Sequence, residues 1–341
     1  MTSKKIGSGT YVMSTPVEII DFEAVVGKKE HEGPLGQYFT YFSDDEYFGQ
    51  KSFEKAETYI QKEALEHVIQ KTGSAPEDID FVFAGDLLNQ CAGSNYSVRD
   101  LPVRFFGLYG ACSTMAEALI LSAMTIDGGF AKKTIAMTSS HFCSAERQFR
   151  FPMEYGSQRP PSSQWTVTGA GCVMLGEASQ TPESKAKIKK VSPGVIIDMN
   201  VKDLNNMGAA MAPAAAFTLR TFFEDTKTKP SDYDLIVTGD LGKVGSELLK
   251  TLLSHDGIIL GSNYNDCGLM IYDLEKQDVH SGGSGCGCSA SVLTGYILPE
   301  MLKGTYKDIL FITTGALMNP TVSMQGESIP GIAHLVNIAY C

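Results

Sequence analysis

Residues 78–86 read DIDFVFAGD and residues 232–240 read DYDLIVTGD. Each is an apolar run between an acidic start and a Gly-Asp end, the pattern of a short buried strand. Each follows a helix-like segment and a Pro-bearing turn: residues 53–71 then SAPED, and residues 214–226 then KPSD. A second pair sets GACSTMAEALILSAM (110–124) against GCGCSASVLTGYILPEM (285–301), both with Gly, Cys and Ser ahead of a long apolar helix-like run. A third sets KKTIAMTSS (132–140) against YKDILFITTG (306–315). The three pairs recur in the same order, which marks the chain as a duplication with halves 1–190 and 191–341.

Strands alternating with helices predict parallel strands in buried sheets. Further strands are expected at 103–107, 134–138, 171–176, 194–198 and 269–273. Loops are expected at 1–10, 143–168 and 200–213, the second carrying Pro152, Pro160, Pro161 and the only tryptophan, Trp165. The helices starting near Ser113 and Ser289 lack a charged face, Glu117 being the main exception, so they belong inside. One such helix per half implies a helical layer between two sheets. The expected architecture is α/β, a duplicated five-layer α-β-α-β-α sandwich.

The 341 residues carry a net charge of −11, which argues against binding nucleic acid or an anionic membrane through bulk charge. A local anion pocket stays open, because a pocket uses a few groups and not the average. Met1-Thr-Ser-Lys-Lys leads into a polar stretch, and no apolar run is long enough to span a bilayer, so a soluble chain without signal peptide or transmembrane segment is expected. Eight cysteines without a C-x-x-C pair read as reduced thiols. Cys286 and Cys288 flank one glycine, a poor geometry for a bridge. The six histidines show no metal-ligand spacing, and no metal site is expected in the protein itself.

Cys112 is the leading candidate for the functional site. A helix N-terminus offers unpaired N–H groups and a positive dipole end, which favour a thiolate or receive a ligand carboxylate. The competing reading is an inert small residue in a tight elbow. Asp86 and Asn89 follow one expected strand, and Ser140 and His141 follow another. Ligands gather at the carboxyl ends of strands in open α/β sheets, so these four are expected to converge on Cys112. His141 would donate hydrogen bonds to a carboxylate or carry positive charge, unless it is a satisfied interior histidine. Asp86 would orient His141 or a backbone group, help hold a calcium counter-ion, or serve as a turn or cap residue. Ser140 also reads as a turn residue. His334 is placed at the pocket mouth. His255 and His280 read as surface loop residues, and His31 and His67 as solvated. Arg147 and Arg150, near His141, are of the type that suits planar carboxylates, with a solvated loop face or a salt bridge as the competing reading for each.

These residues resemble the thiolase and ketoacyl-synthase superfamily. The resemblance rests on the Cys in GACS, WTVTGAGCVMLGE (165–177), GSGCGCSAS (283–291) and GALMNPTVSMQGESIPGIAHLVNI (315–338). It implies a thiolase fold, a homodimer paired through a first-half edge strand, and, for an acyl-transferring member, His or Asn partners in the second half. Gly239 and Asp240 stand after the strand at 234–238, Ser284, Gly285 and Cys286 at the next Gly-rich start, and Gly315 to Met318 in the closing loop. These departures argue against acyl transfer.

GDLLNQ (85–90), FGLYGACSTMAEAL (106–119), QWTVTGAG (164–171) and IPGIAHLVNI (329–338) resemble the stage V sporulation protein AD family of spore-forming Firmicutes. That resemblance implies a non-catalytic binding protein for dipicolinic acid (pyridine-2,6-dicarboxylate), taken as its calcium chelate. It implies support of dipicolinate uptake into the developing spore through a membrane channel assembly. The partners would be other SpoVA operon proteins at the spore inner membrane, with this chain peripheral to it and no cofactor beyond calcium brought with the ligand. The alternative is a Cys-dependent acyltransferase or condensing enzyme of the ketoacyl-synthase type, with Cys112 as nucleophile and His141 as partner. A scaffold with a vestigial pocket is a third reading.

Overall fold

The repeated motifs become equivalent elements in the two halves. The computed structural model describes residues 4–149, 159–178 and 186–340. The first half holds strands β1 (Lys5–Ile6), β2 (Thr10–Gly27), β3 (Tyr41–Ser43), β4 (Phe81–Gly85), β5 (Phe105–Leu108), β6 (Lys133–Ser140), β7 (Trp165–Thr166) and β8 (Gly169–Gly176). The second holds β9 (Ala186–Ser192), β10 (Leu235–Thr238), β11 (Tyr264–Asp266), β12 (Gly283–Ser284), β13 (Asp308–Ala316) and β14 (Gly331–Tyr340). The first half is ordered β5-β4-β6-β8-β2 and the second β11-β10-β13-β14-β9, so both run third, second, fourth, fifth, first. Antiparallel pairing of β2 with β9 joins them into one 12-stranded sheet, with β1 and β3 attached to β2. β7 and β12 form a separate parallel pair, Gly283 opposite Trp165. The expected boundary at 190/191 falls inside β9.

The α-helices of the described residues are α1 (Lys28–His31), α2 (Phe53–Thr72), α3 (Ala92–Val98), α4 (Thr114–Asp127), α5 (Phe142–Phe149), α6 (Met207–Thr226), α7 (Gly242–His255), α8 (Cys267–Met270), α9 (Cys286–Val292), α10 (Leu298–Leu302) and α11 (Pro320–Met324). Ser52 Oγ caps α2 by accepting from Lys55 N at 3.3 Å, and Gly73, at φ 61°, ends it. α2 packs on the outer face of β2, β6 and β8, and α6 on that of β13 and β14. α4 touches β4 and β6 of its own half and β13 and β14 of the other, while α9 lies against β6 and β8. These two helices therefore form the central layer of five, where apolar side chains on every face are covered. Strand β8 is buried along its whole length, as a central strand between two helical layers must be.

Several expectations are corrected. The segment 10–27 is one 18-residue strand, β2, carrying Pro16 and register shifts that hide its alternation. Residues 194–198 make a single bridge, Ile197 to Gly331, and 269–273 opens within helix α8. Short apolar runs do not distinguish strand from helix or buried loop. The loop expected at 143–168 begins as helix α5, and that at 200–213 gives way to α6 at Met207, which runs through Pro213. An alanine-rich, buried face carries that helix past the proline. Arg150 and Pro152 lie outside the described residues. Among the described residues, seven cysteines are free thiols. No described helix is long and apolar enough to cross a membrane.

Glu30, at the end of α1, is fully buried; its Oε1 accepts from Thr168 N at 3.0 Å and from the Tyr272 hydroxyl, while Oε2 has no partner among the described residues. Burial pushes its carboxyl up from 4.5 to about 7. The fold thus favours the protonated acid, and this stability is complete below the unfolded value and lost as pH rises through 7. Glu30→Gln is expected to remove that loss. Between about pH 5 and pH 8 the parent should lose up to ~3 kcal/mol that the variant keeps, read by urea unfolding at both pH values.

Candidate functional site

The chain leaves edge strand β5 and turns sharply into α4 through Gly110-Ala111-Cys112. Ala111 takes φ 52°, a left-handed conformation unusual for a residue with a Cβ, and this elbow points the Cys112 side chain inward, where it is 5% exposed. Hydroxyls hold the elbow: Ser113 Oγ donates to Gly110 O (2.6 Å) and Thr114 Oγ1 to Ala111 O (2.7 Å). Thr313, from β13 in the other half, donates to Ser113 O (2.6 Å) and accepts from Ala116 N (3.2 Å). One free donor of the α4 N-terminus is therefore satisfied across the duplication. Thr313→Val strips both bonds from a buried site at nearly constant volume. It is expected to lower stability by about 2 kcal/mol in denaturant titration.

Below the thiol lies Asp240, immediately after β10 and fully buried. Its carboxylate accepts from Ser284 Oγ (3.1 Å), Gly285 N (2.9 Å) and Thr314 Oγ1 (2.9 Å), and Ser284 Oγ is 3.9 Å from Cys112 Sγ. Burial, and then the charge of Asp240, pushes the Cys112 thiol well above the ordinary thiol range. Burial likewise raises Asp240, opposed by the hydrogen bonds it accepts. The group facing Cys112 is thus a carboxyl and a hydroxyl. Among the described residues, Cys112 Sγ has no histidine partner.

The site opens into a cavity of about 520 Å³. Its walls include Asn89, Tyr109, Glu146 and Phe149 on the first-half side, and Leu204, Asn205 and the segment 316–320 on the second-half side. None of its described lining residues is lysine or arginine.

Of the residues expected to converge here, the structure brings Cys112 and Asn89 to the cavity wall. The others are not among the described lining residues, and their polar atoms are turned elsewhere. Asp86 caps its own turn, accepting from Leu88 N (2.8 Å), Ser94 N (2.7 Å) and Ser94 Oγ (2.7 Å). Ser140 Oγ donates to Val167 O at 2.7 Å and accepts from Gly287 N at 3.2 Å, tying β6 to α9. His141 Nε2 donates to Glu46 O (2.8 Å), and its Nδ1 accepts from Cys143 N (3.2 Å). Burial holds this imidazole below its ordinary value, and so neutral near pH 7. His334 Nδ1 accepts from Gly194 N at 3.0 Å, and burial lowers it to about 4. Arg147 pairs with Glu54 at 2.9 Å.

Sequence reading marked Asp240 and Ser284 as departures without assigning them to the site. The available signal was the repeat itself. Asp86 and Asp240 occupy equivalent Gly-Asp positions, but in the second half Asp266 accepts from Leu241 N (2.8 Å) and Gly242 N (3.0 Å). Asp266 thus supports the turn, which releases Asp240 toward the thiol.

The comparisons agree with this architecture. The chain is similar to the 3-oxoacyl-[acyl-carrier-protein] synthase III of Aquifex aeolicus VF5, with a TM-score of 0.55 and 12% identity over 95% of this chain and 100% of that one. It is similar to a variant of Xanthomonas campestris OleA, with a TM-score of 0.61 and 11% identity over 96% of this chain and 100% of that one. At such identities the likeness establishes the thiolase fold alone. The stage V sporulation protein AD of Bacillus subtilis (strain 168) is 43% identical over 331 residues, 97% of this chain and 96% of that protein. The family model of stage V sporulation protein AD (SpoVAD) matches residues 7–339. The chain belongs to the stage V sporulation protein AD family.

Proposed function

We propose that this chain binds dipicolinic acid, as its calcium chelate, in the cavity above Cys112 and does not turn it over. In this reading it supports dipicolinate uptake into the developing spore, peripheral to the inner membrane and together with SpoVA operon proteins. The observation that carries the reading is the floor of the cavity. A protonated thiol faces a hydroxyl and a buried carboxyl, where a condensing enzyme needs imidazole or amide groups to activate sulfur and to hold an oxyanion. The lining also bears on the ligand form. The buried carboxyl of Asp240 at the floor opposes a bare dianion, whereas the chelate is neutral and its cation takes oxygen ligands. Tyr109 and Phe149 offer apolar faces to a planar ring. A homodimer through β5, the free edge of the first-half sheet, belongs to the same proposal; Phe106 there is 49% exposed.

Equilibrium dialysis tests the binding claim. Dipicolinate with calcium is expected to bind at least about tenfold more tightly than dipicolinate in chelator, and equal affinity in both would refute the chelate reading. The acyltransferase reading keeps one observation in its favour, the strained elbow that presents Cys112 at the cavity floor. It requires a thioester on Cys112 after incubation with an acyl-CoA, seen in the intact mass. The proposal expects none.

A further inference from the structure

We propose that a second, shallow cavity on the first half is a docking pocket for a cationic side chain, lysine or arginine, of a partner polypeptide. The cavity measures about 270 Å³, and its lining includes Tyr41, Phe42, Phe48, Tyr59 and Glu63. That is below the ~300–1,000 Å³ of pockets that enclose a small organic molecule, and it matches one long side chain. Tyr59, Glu63 and His67 are four residues apart along α2, so they share the helix face turned to β3.

The aromatic walls are held by ring contacts. Tyr41 packs edge-on against His67 at 3.7 Å, and Phe42 lies flat on His31 at 3.5 Å. Tyr41 and Phe42 nevertheless keep 37% and 43% of their surface exposed. Within this setting stands one carboxylate. Burial, and then the charge of Glu63, pushes the Tyr59 phenol up, and the ion-pair partner of Glu63 is His67 at 3.5 Å, which is charged only when protonated. Asp44, Asp45 and Glu46, all exposed, continue the loop beyond the aromatic strand and make its surroundings acidic.

Aromatic faces beside a carboxylate form the arrangement that recognises an ammonium or guanidinium group. The exposed ring of Tyr47, stacked on Phe53 at 4.4 Å, extends the apolar surface past the pocket. That extension suits the flanking residues of a polypeptide, since interfaces centre on aromatic anchors with charge complementarity around them. The site lies apart from the Cys112 cavity, and no residue lines both. The inference therefore stands independently of the dipicolinate proposal.

The test uses the full chain labelled with fluorotyrosine and observed by fluorine NMR, with Tyr41→Phe and Tyr59→Phe assigning the two resonances. The probes are N-acetyl-Gly-Lys-Gly-amide, its arginine counterpart and its norleucine counterpart, which keeps the stem and lacks the charge. The lysine and arginine peptides should shift the Tyr41 and Tyr59 signals saturably, at least about tenfold more tightly than norleucine. Glu63→Gln should weaken the cationic peptides about tenfold without moving the unfolding midpoint, and Phe42→Ala should weaken all three. The proposal fails if norleucine binds as well as lysine, if neither cation shifts either signal, or if Glu63→Gln leaves their affinity unchanged.

Discussion

Asp240→Ala is expected to destabilise the chain by about 3 kcal/mol or more and to cost calcium dipicolinate at least tenfold in affinity. The carboxylate is fully buried and satisfies Ser284 Oγ, Gly285 N and Thr314 Oγ1. Alanine leaves all three donors without a partner in the dry centre of the fold. It also removes the group that separates the elbow of the first half from the Gly-rich turn of the second. Asp240→Asn separates charge from packing. It keeps an acceptor oxygen but removes the charge that, after burial, holds the Cys112 thiol high. Alkylation of Cys112 by iodoacetamide at pH 8 should then run several-fold faster than in the parent. An unchanged rate in Asp240→Asn would show that the carboxyl does not govern the sulfur.

Gly287→Ala is expected to destabilise the chain strongly, because the added methyl meets backbone atoms. A Cβ there would sit 2.4 Å from Gly169 O, 2.5 Å from Ser140 Oγ and 2.7 Å from Ser140 N. Two of those atoms belong to the backbones of adjacent strands, β8 and β6, so no side-chain rotation relieves the contact. Helix α9 would have to lift off the sheet, which opens the central layer. A loss of at least ~3 kcal/mol should appear in urea unfolding. Gly304→Ala is the control: its Cβ meets nothing within 4 Å, and it carries only the cost of φ 81°. That cost is about 1 kcal/mol. Equal losses at the two positions would mean that the close approach of α9 to the sheet is not what specifies glycine.

These two sites also show where sequence reading succeeds and where it stops. The paired motifs disclosed the duplication because a strand closed by Gly-Asp and a buried apolar helix leave strong local patterns. They located β4 and β10, α4 and α9, and β6 and β13. Strand β2, which joins the halves, left no such pattern: Pro16 and two shifts of register break its alternation. At the site, position in sequence identified residues that follow strands but not the direction of their side chains. Asp86 and His141 follow first-half strands and Ser140 ends one, yet each bonds to a neighbouring turn or loop. The difference between Asp86 and Asp240 lies in a third residue, Asp266, whose carboxylate supports the second-half turn from another strand. A relation among three strand ends is tertiary, and one strand's local sequence does not encode it.

In the proposed binding role, the thiolase fold would present Cys112 to a ligand and not to acyl-transfer chemistry. The elbow, the helix start and the cavity persist, and the partners of the sulfur are those that keep it protonated. A thiol in that state contributes shape and a weak hydrogen bond, not a nucleophile.

The most direct measurement is a crystal of the full chain soaked with calcium dipicolinate. The account predicts the chelate between Cys112, Ser284 and the 316–320 segment, with Sγ unmodified and a carboxyl or water bridging toward Asp240. A cavity that stays empty at saturating ligand while the chelate binds elsewhere on the molecule would contradict it.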